Sequence, residues 1–362
     1  MSKDHYFFEL ATHPSALFRW FLMCLATLVG GLSCLLALVF AQMLLKLGGL
    51  EQAEKHGISQ NHASRLGGVL VYTNMLFSSI WFLYFGELNL YADLNFKIIL
   101  LATLFFILGL FEDLSGLLKA RHRFVAMLSI CASVMLFEPQ FILTTTGLTF
   151  LDHYVLVFYP LAMLFSVFGV AFFVNAFNTA DGANGLVSSI AIVCLFGLAD
   201  VNNEALAGLL KLVAIGCGVF MIYNVLIGRI FMGDGGAYFL GALIAVVMIV
   251  SVNNGSINVW YALCLAFYPH ADLLFSIARR FYAKKSILAA DNGHLHNLIY
   301  KRLSSMKLIR RHANTLTGLS IGSVYSLLPY VLTQFGVISW VFVYLAMWVL
   351  YLAVWFNLRK NG

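Results

Sequence analysis

An all-α, polytopic membrane bundle of about eleven spans is the fold class the sequence predicts, with its N-terminus outside and its C-terminus inside. Three observations carry this. The 362-residue chain is 61% apolar and only 10% charged, against about 25% charged residues in a soluble domain, and its mean hydropathy is +0.89. Apolar runs of roughly 20 residues recur along it, each long enough to cross a ~30 Å hydrocarbon core. Lys and Arg fall unequally on alternate connections between those runs.

The first run, Leu17 to Leu45, follows a polar stretch containing Lys3, Asp4, Glu9 and His13. It is too long for a signal-peptide core and is expected to remain as a helix. Further spans are expected near 67–85, 96–111, 124–137, 154–174, 185–200, 206–227, 236–252, 258–278, 315–335 and 337–357. Each must be helical, because lipid offers no partner to a free N–H or C=O. The runs at 124–137 and 185–200 are short, so whether they cross fully stays open. No Pro-rich, Ser-rich or like-charge linker interrupts the pattern, which predicts one membrane domain over 1–362. The six cysteines all lie in apolar runs without a C-x-x-C pair, which suggests neither a disulfide framework nor a zinc site.

Eleven spans alternate the loops between two faces. One face receives 18 of the 22 basic residues, and the other only Lys3, Arg19, Lys97 and Lys211. The positive-inside rule makes the basic face cytoplasmic. The net charge of +6 is then a signal of topology rather than of nucleic-acid binding.

The unusual polar residues gather on that same face, in loops near 46–66, 112–123, 175–185, 228–235 and 279–314. Glu112 and Asp113 end the third span. Asn175, Asn178, Asp181 and Asn184 lie between the fifth and sixth, and Asn224 ends the seventh. Phe231-Met-Gly-Asp234 follows, then Asp272 with Arg279 and Arg280, and finally Asp291, His294 and His296. Carboxylates converging from separate loops suit Mg²⁺ or Mn²⁺, which one or two carboxylates and substrate phosphates commonly hold. The plainer reading of each Asp is a helix cap, favoured by backbone hydrogen bonds and the helix dipole. Glycines around Asp181 and Asp234 permit close approach of a phosphate, but such strings are also common turns. His294 and His296 stand at i and i+2, the wrong spacing for a two-His zinc site on a helix. In a basic loop they fit phosphate donors, while the loop's Lys and Arg equally fit contacts to anionic headgroups. Phe231 is placed either to stack on a base or to pack in the core.

In this order the residues resemble the polyprenyl-phosphate N-acetylhexosamine-1-phosphate transferase superfamily, glycosyltransferase family 4. The similarity covers roughly residues 60 to 300. It rests on Arg65-Leu-Gly-Gly68, Gly109-Leu-Phe-Glu112-Asp113, the Asn175 to Gly185 stretch, Phe231-Met-Gly-Asp234, Pro269-x-x-Asp272 with Arg279-Arg280, and Asp291-x-x-His294-x-His296. The histidine spacing and span number look more like the GlcNAc-type branch than the peptidoglycan branch.

The resemblance implies transfer of an N-acetylhexosamine-1-phosphate, GlcNAc favoured, from a UDP-sugar to undecaprenyl phosphate, with release of UMP. Lipid bilayer and both substrates are then the expected partners, with a homodimer left open. It implies catalytic roles for Glu112, Asp113, Asp181, Asp234, His294 and His296, and metal ligation by Asp234 and Asp113. It also implies substrate contacts from Arg65, Asn175, Asn178, Asn184, Asn224, Phe231, Asp272, Arg279 and Arg280, with Asn224 and Phe231 near uracil. Glu112 and Asn184 depart from the family pattern, which usually has Asp at both. A catalytically degenerate relative and a secondary transporter are the rival classes. A transporter would place ionisable groups near mid-span, often in inverted repeats, whereas here they cluster at span ends.

Overall fold

In the computed structural model the structure describes residues 63–85, 93–228, 230–287, 291–306, 308–336 and 339–361, with Leu25, Gly31, Leu50 and Glu51. The expected first span at 17–45 lies outside these residues, apart from Leu25 and Gly31, as do Arg229 and the 52–62 part of the first basic loop.

The apolar runs become helices. They are α1 (Gly67–Phe85), α2 (Asp93–Ser115), α3 (Ala120–Phe137), α4 (Tyr159–Ala180), α5 (Leu186–Ala199) and α6 (Glu204–Ile227). Next come α7 (Gly233–Asn253), α8 (Val259–Leu265), α9 (Phe267–Tyr282), α10 (Leu295–Ser305), α11 (Arg310–Gly322) and α12 (Trp340–Asn361). Helical turns prolong α11 to Phe335. Seven described helices are long and apolar enough to cross a membrane, and the bent pair α8–α9 makes an eighth. At 14 residues, α5 is about 21 Å long and falls short of the hydrocarbon thickness. The only strands among the described residues are Leu50–Glu51 and Ala63–Ser64, paired antiparallel.

The centre of the bundle is α7, apolar on every side and buried along nearly its whole length. It packs on α2, α4 and α1, as an all-round apolar helix must. Close backbone approach fixes its first turn. A Cβ on Gly68 would collide with the backbone of Gly236, and one on Gly109 with that of Asp234. The loop before it is stitched to α1. Gly67 N donates to Phe231 O at 2.9 Å, Gly68 N to Met232 O at 2.7 Å, and Phe231 N to Ser64 O at 2.8 Å. The first two take up N–H groups that the start of α1 cannot satisfy internally. Thus the two glycine strings of the sequence lie against each other.

The run at 258–278 is not a straight crossing. It breaks at Ala266, with an angle of 86° between α8 and α9. Pro269 has no N–H for the Leu265 carbonyl one turn earlier. That carbonyl is taken instead by the Ser326 hydroxyl at 2.7 Å and the Cys194 thiol at 3.4 Å. The Ala266 carbonyl lies 2.8 Å from His270 Nδ1. A break in a membrane helix persists where side chains re-satisfy the freed groups in this way.

Candidate active site

The N-terminus of α7 gathers the acids. Both oxygens of Asp113, from the end of α2, accept from its first turn, at 3.0 Å from Asp234 N and 2.8 Å from Gly235 N. Asp181, just past α4, accepts from Gly233 N at 2.9 Å. Anionic acceptors are favoured at the positive end of a helix, so these two residues act as caps supplied from other helices. Gly233 has φ +74°, and any Cβ there would strike the Arg65 carbonyl.

Asp234, one residue on, points its carboxylate elsewhere. Its Oδ2 receives Arg123 at 2.6 Å and the Tyr238 hydroxyl at 3.3 Å. Arg123 also approaches Glu112 at 3.7 Å, while Arg65 stands 4.0 Å from Asp113. Glu112 accepts from Leu118 N at 2.9 Å, closing the short turn into α3. Burial pushes the Asp181 carboxyl up to about 6, against the Gly233 N–H bond and the Arg65 charge.

Asparagines frame the site. Asn224 joins two loops, accepting from Gly185 N at 2.6 Å and donating to Ile230 O at 2.7 Å. Asn184 N donates to Asn314 Oδ1 at 2.9 Å, and the buried Asn184 Oδ1 has no hydrogen-bond partner among the described residues. Asn175 donates to Ala171 O at 2.9 Å. Phe231 is half-buried, and its backbone is engaged with Ser64 and Gly67.

A second cluster forms where α9 meets α10. Asp272 accepts from Leu295 N at 2.9 Å and lies 2.5 Å from His294 Nδ1. Asp291 binds Arg279 and Ser276, each at 2.5 Å, and Gly293 N at 2.9 Å. His296 Nδ1 is 2.8 Å from the Tyr268 hydroxyl. The two imidazoles stack, with centroids 5.5 Å apart. Their environments separate them. Burial lowers His296 to about 4. For His294 burial acts the same way, but the carboxylates of Asp272 and Asp291 overcome it and raise its pKa. Burial also opposes ionisation of Asp291, yet bonds from Ser276, Gly293 and Arg279 hold it down at about 2. Paired groups pushed apart in this manner suit different proton roles.

The clusters meet at Gly182, where a Cβ would collide with His296 Nε2. A cavity of 880 Å³ runs beside them. Its polar end carries Arg123, Asn178, Arg280, Asp291 and His294. Its apolar wall follows α4 past Phe168 and Phe165 to Leu161, about 25 Å from Asn178 at 1.5 Å per residue. The site residues expected from the sequence thus fall into two adjoining groups on one end of the bundle. Arg123, Tyr238, Tyr268 and Asn314 are additional. The basic pair Arg121 and Arg123 so soon after Asp113 was the available signal for the first, while the others have no local mark.

Residues 95–252 match the family model described as Glycosyl transferase family 4. The chain is 25% identical to a "Probable undecaprenyl-phosphate N-acetylglucosaminyl 1-phosphate transferase" of Bacillus subtilis, over 81% of this chain and 80% of that protein. It is 24% identical to the undecaprenyl-phosphate alpha-N-acetylglucosaminyl 1-phosphate transferase of Escherichia coli K12, over 74% and 73% respectively. A Thermotoga maritima protein of the latter name is 29% identical over 41% of this chain and 47% of its own. With the acids at α7, the histidine cluster and six sequence strings in the family order, the chain is similar to glycosyl transferase family 4 over residues 95–252, and the relatives it matches over most of its length are undecaprenyl-phosphate N-acetylglucosaminyl 1-phosphate transferases.

Proposed function

We propose that the protein transfers N-acetylhexosamine-1-phosphate, GlcNAc favoured, from a UDP-sugar to polyprenyl phosphate at the cytoplasmic face of a bacterial inner membrane, releasing UMP. One observation carries this reading above the rivals: a single cavity joins cationic and histidine groups to an apolar wall about as long as a bilayer leaflet or more. Such a shape suits an acceptor with an anionic head and a long hydrocarbon chain. The ionisable groups sit at helix ends, which favours chemistry at a surface over transport through mid-span. The uneven basic residues support N-out, C-in.

An oxygen of the acceptor phosphate attacks the sugar-bearing phosphorus of the nucleotide. As the new P–O bond forms, the bond to the bridging oxygen breaks, and that oxygen leaves on UMP. The acceptor is already largely ionised, its second pKa being about 6, so a general base contributes little. Positioning and charge neutralisation dominate instead. Arg123 and Arg280 line the cavity where two anions must meet, and His294 offers a proton-rich imidazole beside them. Asp113 has both oxygens engaged by α7, which favours direct attack over an aspartyl intermediate.

The carboxylates fit a hard divalent ion. Asp234, with Asp113 beside it, is the expected holder of Mg²⁺, with Mn²⁺ as an alternative. Among the described residues no group of three or more acids, cysteines or histidines is placed to hold a metal ion, so substrate phosphates would have to supply the rest of the shell. When bound, the ion would offset charge on the diphosphate.

The test is UMP release by purified protein with undecaprenyl phosphate and a panel of UDP-sugars, with and without Mg²⁺, alongside Asp234→Ala. Release that requires both lipid and metal, and is lost in the variant, supports the transfer and names the sugar. Absence of UMP from every donor refutes it.

A further inference from the structure

The histidine cluster is closed by α12, which lies beyond the region matched by the family model. Two of its side chains reach in from one face. The Tyr351 hydroxyl donates to Asp272 Oδ1 at 2.6 Å, and Trp355 Nε1 donates to the Gly293 carbonyl at 2.9 Å. Both are essentially buried, at 0% and 5% exposure. They stand four residues apart, one helical turn, so a single docked helix presents both. Trp355 also stacks under the Arg279 guanidinium at 5.3 Å, the same Arg279 that binds Asp291.

Asp272 is therefore held from two sides. Leu295 N and the Tyr351 hydroxyl share Oδ1, leaving Oδ2 for His294 Nδ1. That fixes the donor nitrogen of His294 and turns Nε2 toward Asp291, 3.8 Å away, on the cavity wall. Orienting partners of this kind set the tautomer and basicity of an imidazole. Trp355 anchors the backbone one residue before His294, so ring and main chain are held separately.

We propose that Tyr351 and Trp355 are positioning residues for the transfer reaction, a clamp from α12 that orients His294 through Asp272 and Gly293. The proposal rests on the transferase reading above for its kinetic consequence, but its geometric consequence stands apart from it. The groups facing His294 are Asp272 and Arg279 from α9, Asp291 from its own loop and His296 stacked from α10. The Tyr351 hydroxyl stabilises the Asp272 anion. Without it Asp272 becomes more basic and its charge falls more fully on His294, which then binds its proton more tightly.

The test uses full-length enzyme carrying Tyr351→Phe or Trp355→Phe, with Tyr325→Phe as control. Tyr325 is a buried tyrosine whose ring lies 6.3 Å from that of Tyr351, with no hydrogen bond to Asp272. In Tyr351→Phe, kcat should fall about ten- to hundredfold, the scale of a lost hydrogen bond to a charged group. KM for the nucleotide should change far less, and the kcat–pH limb belonging to His294 should move to higher pH. Trp355→Phe should lower kcat without that movement, and Tyr325→Phe should do neither. The pH dependence of His294 carbethoxylation by diethyl pyrocarbonate, read by peptide mass spectrometry, gives the same proton affinity without turnover. Its midpoint should rise in Tyr351→Phe alone. If wild type releases no UMP, the transfer reading fails while the carbethoxylation midpoint still decides the clamp. An unmoved midpoint in folded Tyr351→Phe overturns the clamp, as does a loss of activity equal in Tyr325→Phe. Should Tyr351→Phe not fold, wild-type kcat in Trp355→Phe overturns it.

Discussion

Replacing Asp113 with Asn separates the two roles an acid can have at the start of α7. In the native protein its oxygens accept from Asp234 N and Gly235 N, at 3.0 and 2.8 Å, in a buried setting. Asn keeps one acceptor. The other donor then faces an amide NH₂ and is left unsatisfied, which costs about 1–3 kcal/mol. Loss of the negative charge at the helix N-terminus adds about 0.3–1 kcal/mol. The expected destabilisation is therefore about 1–4 kcal/mol. Asp234→Asn should lose much less stability, because its carboxylate binds side chains, one of them the partly exposed Arg123, and no helix N–H. The assay is thermal unfolding of detergent-solubilised protein by tryptophan fluorescence, with UMP release measured in parallel. Both variants should lose activity, but only Asp113→Asn should melt early. An Asp113→Asn protein that melts with wild type would refute the capping account and leave Asp113 with a purely chemical role.

Arg123→Gln should lower kcat about a hundredfold, the scale of one preorganised charge-stabilising donor; Arg123→Lys should recover part of it, and steady-state kinetics at neutral pH check both. Gly182→Ala places a methyl against His296 Nε2 and should cost about a hundredfold in kcat by displacing the imidazole; thermal stability should fall far less. His296 titrates near 4 when folded against an ordinary 6.5. Its neutral form is the one that is stabilised, so this contribution is present above 6.5 and is lost as pH falls toward 4, by about 3 kcal/mol. Asp181, raised from 3.8 to about 6, acts oppositely and adds stability as pH falls through that window. Comparing His296→Gln with wild type isolates the first effect, since the variant should be the less acid-sensitive of the two in chemical denaturation.

Helix positions were largely legible because burial in lipid writes itself as apolar length. The expected 67–85 coincides with α1, and 96–111 falls inside Asp93–Ser115. Apolar length says nothing of direction, so the 86° break at Ala266 was invisible to it; Pro269 was the local trace of that break. The acids were legible as a set at span ends. Their division of labour was not, because whether an Asp caps a helix or pairs with an arginine depends on an element over a hundred residues away, as Asp113 and Asp234 show. Arg123 reads as one more topological charge until Asp234 stands beside it. Tyr351 and Trp355 lie in a run whose aromatics look like membrane-facing residues, and only folding distinguishes those that turn inward, these two among them.

The contact between Asp272 and Tyr351 spans 79 residues and brings the last described helix onto the histidine cluster. During synthesis, Asp113, Asp181 and Asp234 are all in the membrane before α12 leaves the ribosome. A nascent chain can thus assemble its acidic centre early while Asp272 still lacks a donor and Gly293 its anchor. The histidine cluster would thus be completed only when α12 inserts and docks, later than the acidic centre it adjoins.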